Sequence, residues 1–229
     1  MQINFSKIPV AIYGKESQNV YIYVHGLYGK KENAEDFSKI AEKKGFQVLS
    51  LDLPGHGERK KNPDQPEEMP PFSKAVCEIQ AVYEEANSQW KNISLYAVSL
   101  GAYFSLVALQ GCDIKKALLV SPVMNMKNLI ERMMKSVNIT PEILKERKNV
   151  PEYNFSWDYY KFVLENEITD WNCQTEILYP EHDNLILLEE AKEFAKKFSC
   201  GLTILPNSEH HISDEECLKF LRAWEEKNS

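Results

Sequence analysis

Seven short runs of β-branched and apolar residues punctuate the chain, at 8–13, 20–25, 46–52, 93–98, 117–121, 175–179 and 202–205. Most are continuous rather than alternating, the pattern of strands covered on both faces. Between them the apolar positions take a helical period. Ala34, Phe37, Ile40 and Ala41 recur at that spacing, and Gly45 follows as a C-cap. Ala75, Val76, Ile79, Val82, Tyr83 and Ala86 form a second stripe. Leu188, Ala191, Phe194, Ala195 and Phe198 form a third, with Lys196 and Lys197 near its C-terminal end, where the helix dipole favours cations. Ser213 and Glu216 fit the capping box S-x-x-E, and Cys217, Phe220, Leu221 and Trp224 then mark the buried face of a last helix. Strands alternating with helices predict an α/β fold, with a mostly parallel central sheet and helices on both faces.

One stretch breaks the alternation. Residues 122–172 carry helical patterns and no convincing strand: Leu129, Ile130, Met133 and Met134, then a Thr140-Pro141 helix start, then Trp157, Tyr160, Phe162 and Val163. This length exceeds a single crossover. It reads as a helical cap inserted into a core made of residues 1–121 and 173–229, covering one end of the sheet. Residues 26–31 and the proline- and charge-rich 54–71 read as loops.

Composition narrows the class. A length of 229 residues suits one α/β domain with a small insertion. With 43% hydrophobic and 27% charged residues, disorder and a disulfide-stapled miniprotein are excluded. The net charge of −7 offers no basic face beyond Lys30-Lys31 and Lys60-Lys61, so no nucleic-acid partner is expected. The five cysteines are odd in number, scattered and without C-x-x-C, which reads as free thiols in a reducing compartment. The opening MQINFSKIPV has no signal-peptide pattern, and a cytoplasmic location is expected. The longest near-apolar run, 93–109, is broken by Ser94, Ser99, Gly101 and Ser105, and no membrane span is expected. No H-E-x-x-H or paired Cys/His spacing occurs. Gly55-His56-Gly57 lacks the third glycine of a dinucleotide loop and opens no helix. Neither a metal nor another cofactor is expected.

The chemistry concentrates at Tyr96-Ala97-Val98-Ser99-Leu100-Gly101-Ala102. A hydrophobic strand runs into Ser99 and a small-residue helix over 100–110 leaves it, closed by Gly111. The nucleophile elbow G-x-S-x-G demands this context. Its tight turn needs small residues two before and two after the serine, here Ala97 and Gly101.

The chain resembles the α/β-hydrolase superfamily over most of its length. Val24-His25-Gly26-Leu27 resembles the family's HG-x loop, and Asp52-Leu53-Pro54-Gly55-His56-Gly57 is similar to its D-x-P-G-H-G segment. Ala97 departs from the commoner glycine, and Glu58 from a small or polar residue. The resemblance implies a serine nucleophile, an acid and a histidine in that chain order. Asp183, in the loop after strand 175–179, resembles the family's acid, with Glu181 as rival. His210, after strand 202–205, resembles its histidine, with His211 as rival. The backbone N–H groups of Leu27 and Leu100 would form the oxyanion hole, with His25 shaping the loop. Tyr28 either adds a hydroxyl to the pocket or is a surface aromatic. His56 reads as loop structure and His182 as exposed. Met124, Met133, Trp157 and Tyr160 of the cap either line an apolar acyl pocket or pack the cap onto the core. The expected activity is hydrolysis of a small or medium acyl ester, with a small-molecule substrate as partner. A peptidase, thioesterase or acyltransferase would share the machinery, and a catalytically silent binding protein would share the fold. The cap leaves a core lean for this fold, which implies a shortened N-terminal edge of the sheet.

Overall fold

The computed structural model describes residues 8–60 and 69–229. Residues 1–7 and 61–68, and with them Lys61 and the middle of the 54–71 loop, lie outside the described residues. The main sheet is built from β1 (Val10–Tyr13), β2 (Asn19–Val24), β3 (Gln47–Leu51), β4 (Asn92–Val98), β5 (Lys116–Val120), β8 (Gln174–Pro180) and β9 (Gly201–Leu205). A separate pair, β6 (Asn149–Val150) and β7 (Phe155–Ser156), lies in the insertion. The spatial order of the main sheet is β1-β3-β2-β4-β5-β8-β9. Every neighbour pairs in parallel except β1, which runs antiparallel to β3 at the N-terminal edge. Each apolar run predicted from the sequence falls on one of these strands.

Continuous burial along the strands has a plain cause. Val20, Ile22 and Val24 face one apolar cluster, with Ile79 of α2 (Phe72–Gln89), Phe104 of α3 (Leu100–Ala108) and Phe194 of α7 (Leu188–Phe198). Tyr21 and Tyr23 alternate to the other cluster, with Phe37 of α1 (Glu35–Lys43) and Trp224 of α8 (Glu215–Asn228). Both faces are covered, so no polar alternation survives in the sequence. Helix α3, directly behind the sheet, is buried at all nine positions.

Two expectations are corrected. The last helix is capped by Asp214, not Ser213: the Asp214 carboxylate accepts from Glu216 N and Cys217 N. A carboxylate at this N-terminus also complements the helix dipole, which a serine hydroxyl does not. The insertion is not wholly helical. Between α4 (Met126–Ser136), α5 (Pro141–Arg147) and α6 (Trp157–Glu165) stands the β6–β7 pair. Strands of two residues are too short to write a period of two into the sequence. Met134, Leu144, Val150, Phe155 and Tyr160 form the insertion's own small core, while Met126, Val163 and Trp171 join the main one. Among the described residues no helix is long and apolar enough to cross a membrane.

Candidate active site

β4 ends at Val98 and α3 begins at Leu100, so Ser99 alone makes the turn. Its φ of +49° and ψ of −117° are strained for a residue with a side chain, at a cost of about 1–3 kcal/mol. The surroundings hold it there. Ser99 N donates to Val120 O, and Ser99 O accepts from Ala102 N and Val123 N. A Cβ on Gly101 would collide with the carbonyl oxygens of His25 and Val24, which explains the glycine two residues after the serine. Ala97 is fully buried on the other side.

Two loops at the same end of the sheet meet this serine. Ser99 Oγ lies 2.7 Å from His210 Nε2, and His210 Nδ1 lies 2.7 Å from Asp183 Oδ2. The Asp183 side chain is fully buried, and its Oδ1 accepts from Leu185 N and Ile186 N. Those bonds satisfy one oxygen and aim the other at the imidazole. Nδ1 therefore carries the proton, and Nε2 is left to accept from the serine hydroxyl. The rivals lie elsewhere. Exposed Glu181 accepts from Asn207 N and so joins the two loops. His211 is exposed on the cavity wall, and His182 is exposed, with its N–H on Ser208 O.

His25 is buried and fixes the HG-x loop. Its Nε2 accepts from Leu53 N at 3.1 Å, so its Nδ1 carries the proton and donates to Gly26 O at 2.7 Å. Burial holds its pKa down to about 4, against weaker upward pulls from the Gly26 hydrogen bond and Asp52, so the ring is neutral at pH 7. His25 thus staples two loops together. Its ring lies 5.3 Å from that of His56, which is buried with Nδ1 on Pro54 O. Leu27 and Leu100 both line the cavity beside Ser99. As the first residue of α3, Leu100 has no carbonyl one turn earlier for its N–H. Tyr28 is 65% exposed and also lines the cavity, at a φ of +66°.

The sequence reading missed one support. Asp52 is fully buried and accepts from Lys31 N, Lys31 Nζ and Glu58 N. Glu58, an apparent departure from the family pattern, also takes the Lys31 ammonium at 2.6 Å. An acid at 58 answering a buried lysine at 31 was the available signal.

The cavity at Ser99 measures about 830 Å³. Of the residues expected in a pocket, Met133 and Tyr28 line it. Met124, Trp157 and Tyr160 are not among its lining residues. Met124 is buried in the main core, and Trp157 packs against the insertion's core. Tyr160 is buried there, with its hydroxyl on Glu131. For these three, packing is the observed role.

A sheet of this order, with its serine on the β4–α3 turn, is the α/β-hydrolase architecture. It is shared with Est1E from Butyrivibrio proteoclasticus, solved with ferulic acid bound, at a TM-score of 0.76 and 18% identity over 99% of this chain and 96% of that one. A monoacylglycerol lipase from Paleococcus ferrophilus matches at 0.69 and 18% over 97% and 100%. An esterase from Exiguobacterium antarcticum matches at 0.62 and 16% over 95% and 93%. Within this class, the sequence model of the family described as serine aminopeptidase, S33, matches residues 15–159. The chain belongs to that family and is an α/β-hydrolase enzyme. A search of curated protein sequences finds no match.

Proposed function

We propose that the protein is a serine esterase for small or medium acyl groups, acting through Ser99, His210 and Asp183. The hydrogen-bonded chain from Ser99 Oγ through the imidazole to the buried Asp183 carboxylate carries this reading. Ser99 Oγ attacks the acyl carbonyl carbon while its proton passes to His210 Nε2. The resulting imidazolium is stabilised by Asp183, which stays ionised. The tetrahedral oxyanion is held by the N–H groups of Leu100 and Leu27, two donors preorganised by a helix start and by the His25-stapled loop. As the carbonyl re-forms, the bond to the leaving oxygen breaks and that oxygen takes the proton from His210. Water then attacks the acyl-enzyme by the same steps, releasing the acid and restoring Ser99.

The insertion serves as the substrate lid. Under it the cavity wall is apolar and pliable, with Met69, Phe72, Met126, Leu129, Met133 and Tyr159. Phe72 and Tyr159 stack at 4.8 Å and 3°, a flat surface suited to a planar or extended acyl chain. Est1E with ferulic acid bound and the monoacylglycerol lipase are relatives in fold that fit an ester reading. The family description favours a second reading, peptidase activity at the same groups. Labelling with a fluorophosphonate tests the nucleophile, and a panel of p-nitrophenyl esters and aminoacyl amides tests the bond. Labelling that disappears in Ser99→Ala, with ester turnover exceeding amide turnover, is expected. No labelling, or equal labelling of Ser99→Ala, removes the enzyme reading.

A further inference from the structure

The cavity at Ser99 has walls on both faces of the sheet. Beneath the insertion, Phe72, Met126 and Leu129 belong to the apolar cluster on the α2–α3 side. Tyr23, Phe37, Tyr96 and Leu221 also line the cavity, yet they belong to the cluster under α1 and α8. Tyr96 and Val98 share one face of β4, because strand side chains alternate, and that face leads up to Ser99. A second arm therefore runs from the elbow along β4, between α1 and α8. Three residues of strand give it a length of about 10 Å. Where Arg222 of α8 donates to Asp36 of α1, the two helices are tied across it.

Besides the Arg222–Asp36 pair, the buried polar side chains of Ser121 and Glu225 line the cavity. Ser121 follows β5, is 2% exposed, and its Oγ has no hydrogen-bond partner among the described residues. Glu225 of α8 is 4% exposed and lines the arm at its inner end. The Tyr96 hydroxyl donates to Glu225 Oε1 at 2.5 Å. Burial pushes the Glu225 carboxyl up to about 7, against the Tyr96 hydrogen bond and Arg222, which pull it down. A carboxyl this deep costs free energy until its remaining acceptor capacity finds a donor.

Chemistry decides which part of an ester enters this arm. His210 returns its proton to the leaving oxygen, so the leaving group lies on the histidine side of Ser99. His210, His211 and Ile212 line the cavity, and Ile212 packs with the α1–α8 cluster. The lid arm is left for the acyl chain. We propose that the arm between α1 and α8 is a leaving-group subsite, selecting alcohols that carry a second hydrogen-bond donor, a hydroxyl or an ammonium, for Glu225 to accept. This deepens the serine-esterase reading and rests on it.

The test uses three butyrate esters that share an acyl group: of 5-aminopentanol, 1,5-pentanediol and n-hexanol. Calorimetric titration of the Ser99→Ala protein reads binding without turnover. Either donor-bearing ester, or both, is expected to bind about tenfold or more tightly than the hexyl ester, the better of the two identifying the donor. Glu225→Gln in the same background should erase an ammonium preference and spare a hydroxyl one. Ser121→Ala should weaken the donor-bearing esters relative to the hexyl ester. Comparing esters within one protein cancels any general loss from a variant. Equal or tighter binding of the hexyl ester overturns the subsite, as does an ammonium preference that survives Glu225→Gln. Failure of fluorophosphonate labelling would overturn the esterase reading instead, and the two results are read separately.

Discussion

Ser99 keeps its left-handed backbone because Val120, Ala102 and Val123 all bond to it and Gly101 leaves room for the close approach of β2. The histidine beside it is set by equally local facts. His210 is 13% exposed at its side chain and bonded on both ring nitrogens, whereas His211 faces solvent. His210→Ala should lower kcat by several orders of magnitude, as loss of a triad member does. His211→Ala should change it far less. Steady-state kinetics on one p-nitrophenyl ester decides, and a reversal of the two effects would reassign the base. At this scale the serine, its small flanking residues and the order of acid and histidine were legible, since each is dictated by turn sterics or chain order. The choice of Asp183 over Glu181 rested on its offset beyond the strand at 175–179. The structure separates them through Leu185 and Ile186 N–H, which aim Asp183, and through Asn207 N–H, which diverts Glu181.

Between elements, one side chain links the insertion to the acid loop. Arg132 of α4 donates to both Glu190 oxygens, at 2.5 and 3.3 Å, and to Leu185 O at 2.7 Å. Leu185 is the residue whose N–H holds Asp183. On the proposed mechanism Arg132 is a positioning residue, acting on the imidazole through the loop that carries its partner. Arg132→Ala should lower kcat by about ten- to a hundredfold, the scale of losing alignment at a reacting centre. The pH–rate profile should shift at the same time, because the imidazole's partner is displaced. Arg132→Lys should recover only part of the loss, since a lysine ammonium lacks the planar fork that reaches Glu190 and Leu185 O together. An unmoved profile with a small fall in kcat would reduce Arg132 to a stabilising surface pair. Strands and long helices were legible because burial on one or both faces writes a period. The β6–β7 pair was not, and neither was the pocket: Trp157 and Tyr160 share composition with lining residues but pack inward. Amphipathic pattern tells which face is buried, not whether core or ligand buries it.

For the whole molecule, Glu225 sets a direction to the pH dependence of stability. Its carboxyl rises from an ordinary 4.5 to about 7 in the fold, mainly through burial. Below pH 4.5 both folded and unfolded forms hold the proton, and no penalty applies. Between 4.5 and 7 only the folded form holds it, so stability falls as pH rises; above 7 the loss is complete. A shift of this size corresponds to about 3 kcal/mol. Glu225→Gln should therefore gain stability relative to wild type on going from pH 5 to pH 8, read as denaturant midpoints. Parallel curves for the two proteins would show that Glu225 does not titrate with folding. The second arm of the cavity belongs to this scale and was illegible in sequence. Tyr23, Phe37 and Leu221 read as ordinary core, and the space between them depends on how α1 and α8 meet over the sheet.

The groups proposed to react are drawn from far-apart stretches of chain. Ser99 and His210 are 111 positions apart, and His210 follows β9, the strand at the far edge of the sheet. The strands flanking Ser99 can pair long before β9 docks, and on the proposed mechanism no proton leaves the serine until it does. Turnover is therefore a late reporter in refolding. It should return after helical signal and core fluorescence, with the non-local closure that is slowest for parallel sheets.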